Sequence, residues 1–138
     1  MITWNNLDTL TSFKELENVE RVDLVKAMAG ENGAERVKNY SVPMAEGLTY
    51  NYAAKQVDDK VLAALAKLAD EAQLTEKFEA LYNGEVINTG EKRLVLHHMT
   101  RGQLGEAVEA DGVDKRTFYT EQQAKIADFA NKVHAGEI

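Results

Sequence analysis

Asp58-Asp59-Lys60-Val61-Leu62-Ala63-Ala64-Leu65-Ala66-Lys67-Leu68-Ala69-Asp70-Glu71-Ala72 is the stretch from which the fold class follows. Val61, Leu62, Leu65, Leu68, Ala69 and Ala72 recur at steps of three and four, while Lys60, Lys67, Asp70 and Glu71 fall elsewhere. That period places the apolar residues along one side of an α-helix. Asp58 stands where a side-chain oxygen can accept a free amide of the first turn. The pattern therefore predicts a helix from about residue 58 to 72.

Working outward, a short helix is expected from Thr75, with Phe78, Leu81 and Tyr82 turned inward and Gly84 as its stop. Asn88 followed three residues later by Glu91 has the form of a capping box, so a third helix is expected over Gly90 to Arg101, ending at Gly102. Gly102-Gln103-Leu104-Gly105 reads as a helix stop and turn. Thr120 and Gln123 repeat the capping signature, and Ile126, Phe129, Ala130 and Val133 form one stripe of a last helix that ends near Gly136.

Upstream, Ser12 with Glu15, and Asp23 before Leu24, Val25 and Met28, mark two short helices before residue 30. Leu48, Tyr50 and Tyr52 alternate with Thr49 and Asn51, as in a half-buried strand, and Ala107-Val108-Glu109 near Asp111-Gly112 suggests a small hairpin. The fold expected is mainly α with one or two short β-strands or hairpins. Two isolated strands do not make a stable sheet by themselves, so the inventory reads as incomplete.

The chain has 138 residues, 44% of them hydrophobic, enough for one core without a staple. It contains no cysteine, which excludes a disulfide framework, a thiolate nucleophile and a sulfur-ligated zinc, and points to a cytoplasmic location. Sixteen basic against 23 acidic side chains leave a net charge of −7, which repels phosphate backbones and anionic lipid, so neither nucleic acid nor membrane is an expected partner. The first residues lack the basic and apolar blocks of a signal peptide, and no apolar run is long enough to cross a bilayer.

Chemistry-bearing residues are sparse. His97 and His98 are neighbours and point about 100° apart on a helix, which is not the spacing of a chelating pair, so no metal site is expected. The simpler reading is that one ring packs and hydrogen-bonds while the other meets solvent. No G-x-S-x-G elbow and no phosphate-cradling glycine motif occurs. Acidic pairs such as Asp58-Asp59 and Asp70-Glu71 sit where charge solvates a helix face. Arg93 and Arg101 are candidates to face an anion, or equally to pair with Glu91, Glu106 or a helix carboxyl end.

The run Gly84-Glu85-Val86-Ile87-Asn88-Thr89-Gly90-Glu91-Lys92-Arg93-Leu94-Val95-Leu96-His97-His98-Met99-Thr100-Arg101 resembles the G-E-x-I-N-x-T-E-x-R-x-V-L-H-x-x-L-R segment of glucose-6-phosphate isomerases. Matching positions are Gly84, Glu85, Ile87, Asn88, Glu91, Arg93, Val95, Leu96, His97 and Arg101. Tyr50-Asn51-Tyr52-Ala53-Ala54-Lys55 and the helix after it are similar to that family's D-Y-S-K-N strand and following helix. Phe129 to Ile138 resembles its F-x-x-x-[IV]-x-x-G-E-W, with Ile138 in the tryptophan's place. Thr89 stands one place before the family's threonine, and Thr100 replaces a usual leucine.

The resemblance implies that residues 1–138 are a single N-terminal helical segment of a larger enzyme, whose sugar isomerase domains are α-β-α sandwiches. Residues 48–138 are the family-like part, and residues 1–47 are expected as short helices whose packing the sequence leaves open. It also implies a parent, a homodimer of glycolysis and gluconeogenesis, that interconverts glucose 6-phosphate and fructose 6-phosphate through a cis-enediolate without metal or organic cofactor. Its catalytic and substrate-binding groups lie beyond Ile138, so no catalytic or substrate-binding residue is assigned here. The segment alone is then inactive, and its partner is the remainder of the chain. Glu91, Arg93, His97 and Arg101 take an architectural role, tying the third helix to its surroundings. The competing expectation is a self-contained acidic helical module that binds a partner protein through its apolar stripes.

Overall fold

The computed structural model describes residues 1–102 and 106–138. The Gly102 to Gly105 turn therefore lies mostly outside the described residues. Two compact units emerge, one formed by Asn5–Ala72 and the other by Met1–Trp4 with Gln73–Ile138.

In the first unit, helix α1 (Thr11–Glu17) packs on α4 (Asp59–Glu71), with α2 (Leu24–Ala27) and α3 (Gly30–Asn39) between them in sequence. The expected central helix forms as its period predicts, and the Asp58 carboxylate accepts the Val61 amide at 2.9 Å. Asp23 caps α2 in the same way, accepting from Lys26 N at 3.2 Å. Ser12 does not cap α1; it lies inside the helix, buried, and Leu10 occupies the cap position without a side-chain bond. The cap comes from the distant Glu71, whose carboxylate accepts the amides of Thr11 and Ser12 at 3.1 and 2.8 Å and also the Ser12 hydroxyl.

The α3 helix has no counterpart among the expected helices. Its Gly33 is a packing requirement, because a Cβ there would lie 2.3 Å from the Met28 carbonyl oxygen. Its Arg36 is buried and donates from Nε to Ala53 O at 2.7 Å and from Nη2 to Lys55 O and Val57 O at 2.9 and 2.6 Å. The guanidinium also lies 4.2 Å from the centre of the Tyr40 ring. One side chain thus fixes the connection into α4.

Strands β1 (Ser41–Pro43) and β2 (Thr49–Asn51) pair antiparallel with Val42 opposite Tyr50. The expected half-burial of β2 is not observed, since all three of its residues are exposed. Its alternation is present, but both of its sides are exposed. Pro43 is tolerated in β1 because a strand edge needs no amide at every position.

In the second unit, α5 (Leu74–Tyr82) starts one residue before the expected Thr75, from Gln73 in a left-handed conformation with φ 54°, and without a side-chain cap. It stops as expected at Gly84, φ +72°, where Gly84 N donates to Leu81 O and Glu85 N to Ala80 O. Strands β3 (Glu109–Ala110) and β4 (Val113–Asp114) form the expected hairpin. Asp111 and Gly112 both have positive φ, 54° and 71°, the conformation that matches the twist of paired strands.

The last helix, α6 (Lys115–His134), begins five residues before the expected Thr120. Asp114 is its cap, accepting from Arg116 N at 3.0 Å and from the Thr117 hydroxyl at 2.6 Å. Thr120 lies within the helix and donates back to Arg116 O, while Gln123 donates to Thr100 O at 2.7 Å. Among the described residues no helix is long and apolar enough to cross a membrane.

Candidate functional site

The segment richest in recognisable sequence, residues 84–101, leaves α5 at Gly84 and lies in the second unit. The third helix expected over Gly90 to Arg101 does not form. The local signal for it was real: Asn88 Oδ1 accepts the Glu91 amide at 3.2 Å, and Asn88 Nδ2 reaches the Glu91 carboxylate at 3.3 Å. These bonds close a turn instead of a helix, because Lys92 is left-handed, φ 53°, and Arg93 pairs back onto Asn88 through two backbone bonds of 3.2 and 3.3 Å. A side chain in Asn88's position satisfies turn amides as readily as helical ones.

Beyond the turn, Leu94 and Val95 are half-buried, and the chain makes only a single 3-10 turn at His97–Thr100. Leu96, Met99 and Val108 form the core of this unit, with Leu94 and Tyr119 against them. Met99 is fully enclosed. The spacing of Leu96 and Met99 suits one turn, and the bulk of Val108 brings the β3–β4 hairpin onto it. A Cβ on Gly84 would come within 2.2 Å of Val108 Cγ1, so the end of α5 is pressed against the same residue.

Arg116, buried at the start of α6, ties these pieces together through main-chain oxygens. Its Nη2 donates to Tyr82 O at 2.8 Å and its Nε to Glu106 O. His98 packs at a tilt against the Tyr82 ring, 4.6 Å between centres. Burial, and next to it the positive charge of Arg116, push the His98 pKa below its ordinary value. The ring packs as expected for one of the two histidines, with both nitrogens enclosed and the Tyr82 main chain as its polar neighbour. His97 faces solvent.

The four residues expected to act as structural ties are all exposed. The structure brings Glu91 and Arg93 together, 3.8 Å apart across the turn. An exposed pair at that distance contributes little. It does not bring His97 or Arg101 to that pair, and the Arg101 amide simply closes the 3-10 turn on His98 O.

Between the turn and the hairpin lies an open cleft of about 900 Å³. Lys92, Arg93 and Lys115 line it together with Glu85, Glu109 and Asp111, an even balance of charge that does not concentrate an anion. No cluster of three metal-ligating side chains occurs among the described residues. The groups sequence reasoning missed are Glu71, Arg36 and Arg116, whose partners are carbonyls and amides far along the chain and leave no local spacing to read.

A family model described as phosphoglucose isomerase matches residues 51–138. A glucose-6-phosphate isomerase from Treponema denticola is 51% identical over 98% of this chain, which covers 27% of that protein. A glucose-6-phosphate isomerase from Borrelia garinii subsp. bavariensis is 41% identical over 100% of this chain and 26% of its own length. The crystal structure of a glucose-6-phosphate isomerase from Chlamydia trachomatis superposes with a TM-score of 0.69 at 28% identity, over 91% of this chain and 25% of that one. The likeness to the curated relatives includes the first 47 residues, and the chain spans about a quarter of their length. A coincidental likeness in an independent interaction module has no support beside identity that runs through the whole chain.

Proposed function

Because the chain belongs to the phosphoglucose isomerase family, we propose that it is the N-terminal segment of a glucose-6-phosphate isomerase. The whole enzyme, in this reading, is a cytoplasmic homodimer of glycolysis and gluconeogenesis that interconverts glucose 6-phosphate and fructose 6-phosphate. A positioned general base moves a proton between C1 and C2 through a cis-enediolate. The base, the ring-opening groups and the phosphate loop belong to the part of the enzyme beyond Ile138.

Within that reading, residues 1–138 serve as scaffold. Glu91 and Arg93 give their main-chain groups to the turn that closes on Asn88, while His97 and Arg101 sit exposed on either side of the enclosed Met99. The carrying observation is that a 51% identical match fills this chain yet only 27% of the relative it matches.

The test is a coupled assay that detects glucose 6-phosphate formed from fructose 6-phosphate. Residues 1–138 alone should give no turnover, and the full product of the reading frame that continues past Ile138 should give it. Turnover by the 138-residue chain, or a full-length product without isomerase activity, overturns the reading.

A further inference from the structure

The second half of α6 lacks the packing that would keep it helical. Ile126, Phe129 and Val133 are 69%, 58% and 43% exposed, and from Gln123 to His134 only Ala130 is even half-buried. Those four residues stand at i, i+3, i+4 and i+7, one continuous stripe. Lys125, Asp128 and Lys132 lie off the stripe, with Asp128 and Lys132 paired at 2.8 Å. A helical stretch of about a dozen residues is marginal in water without tertiary support. The stripe is therefore an unfinished contact.

The end of the helix indicates what finishes it. Gly136 is left-handed, φ +74°, with Gly136 N donating to Val133 O at 3.1 Å and Glu137 N to Lys132 O at 3.0 Å. This pair of bonds ends the helix and turns the chain out of its axis. We propose that the segment of the same chain following Ile138 folds back along α6 and covers Ile126, Phe129 and Val133. The proposal rests on the reading of residues 1–138 as part of a longer isomerase, in which about three-quarters of the chain lies outside this structure. From Ile126 to Val133 the stripe rises roughly 10 Å at 1.5 Å per residue. An apolar extended stretch of about four residues spans that length, so a short strand soon after the turn is sufficient.

Hydrogen exchange on the amides of residues 124–134 tests this in the 138-residue chain and in the full-length protein. Covering the stripe should slow their exchange by about a hundredfold or more in the full-length protein, since buried elements open only with large free energies. Phe129→Ala should lower the melting temperature of the full-length protein while leaving that of the 138-residue chain unchanged. Equal exchange in the two proteins overturns the proposal. So does protection that appears in the 138-residue chain on dimerisation and is lost with Phe129→Ala, since a second copy then occupies the stripe. Isomerase activity of the wild-type full-length protein is read separately. Its absence sinks the functional reading, while the exchange data still decide whether the following segment covers α6.

Discussion

Glu71, in the last turn of α4, caps the first turn of α1 through Ser12, accepting that residue's amide at 2.8 Å and its hydroxyl through the same oxygen. The other carboxylate oxygen takes the Thr11 amide. Helix amides without intrahelical partners are thus satisfied by an anion from 59 residues away in sequence. The Ser12 hydroxyl, then its amide, hold the Glu71 carboxyl below its ordinary pKa.

Since the folded-state pKa of Glu71 is depressed, its contribution is present above the unfolded value, near 4.3, and is lost as pH falls through the folded value. Glu71→Gln should therefore destabilise the chain at neutral pH, and its deficit should vanish in acid. Thermal melts of both proteins between neutral and strongly acidic pH check this. A deficit independent of pH would mean that the carboxylate charge contributes nothing.

Gly84→Ala meets two costs at one position. A left-handed residue with a Cβ costs about 1–2 kcal/mol, and forcing a methyl into a filled space costs about 1–3 kcal/mol, because Val108 Cγ1 lies 2.2 Å from where that methyl would stand. The substitution should lower stability by about 2–5 kcal/mol in denaturant melts. In a Val108→Ala background, which makes room for the methyl, Gly84→Ala should cost less than it does in the wild type. Strict additivity of the two changes would show that the contact is not felt.

His98 makes the stability of the second unit depend on pH below neutrality. Burial depresses its folded pKa, so the unfolded chain takes up the proton first, near pH 6.5. Stability contributed by the neutral ring is complete above that value and declines as pH falls through the folded pKa. His98→Phe keeps a ring beside Tyr82 and cannot charge, so the variant should gain on the wild type as pH drops from 7 to 5. Parallel stability curves over that range would remove the assignment.

What the sequence reveals follows the range of the interactions. Asp58 before a run of period 3.6, and Asp111-Gly112 between two short strands, are signals complete within a few residues, and both elements form where expected. The Asn88 and Glu91 signal is equally local but ambiguous, and left-handed Lys92 with Arg93 pairing backward decides for a turn. Gly30 and Gly33 mask α3, whose Gly33 is there to let the Met28 carbonyl approach. The start of α6 carries an equally local signal, Asp114 accepting from the Arg116 amide and the Thr117 hydroxyl, but the Thr120 and Gln123 pair has the same form and Thr120 instead bonds back to Arg116 O. At the candidate site the family motif located the segment, whereas its shape depends on Val108 and Arg116 from outside it.

Among the described residues, Arg36 and Arg116 each grip main-chain oxygens and no carboxylate. A peptide oxygen is the same whichever residue carries it, so the exposed side chains of Lys55 and Glu106 are free to change without touching these bonds. The two guanidiniums have no such freedom, because an ammonium is a point charge without the planar fork that spans several oxygens. Replacing either arginine by lysine therefore costs bonds that replacing the exposed residues supplying the oxygens does not.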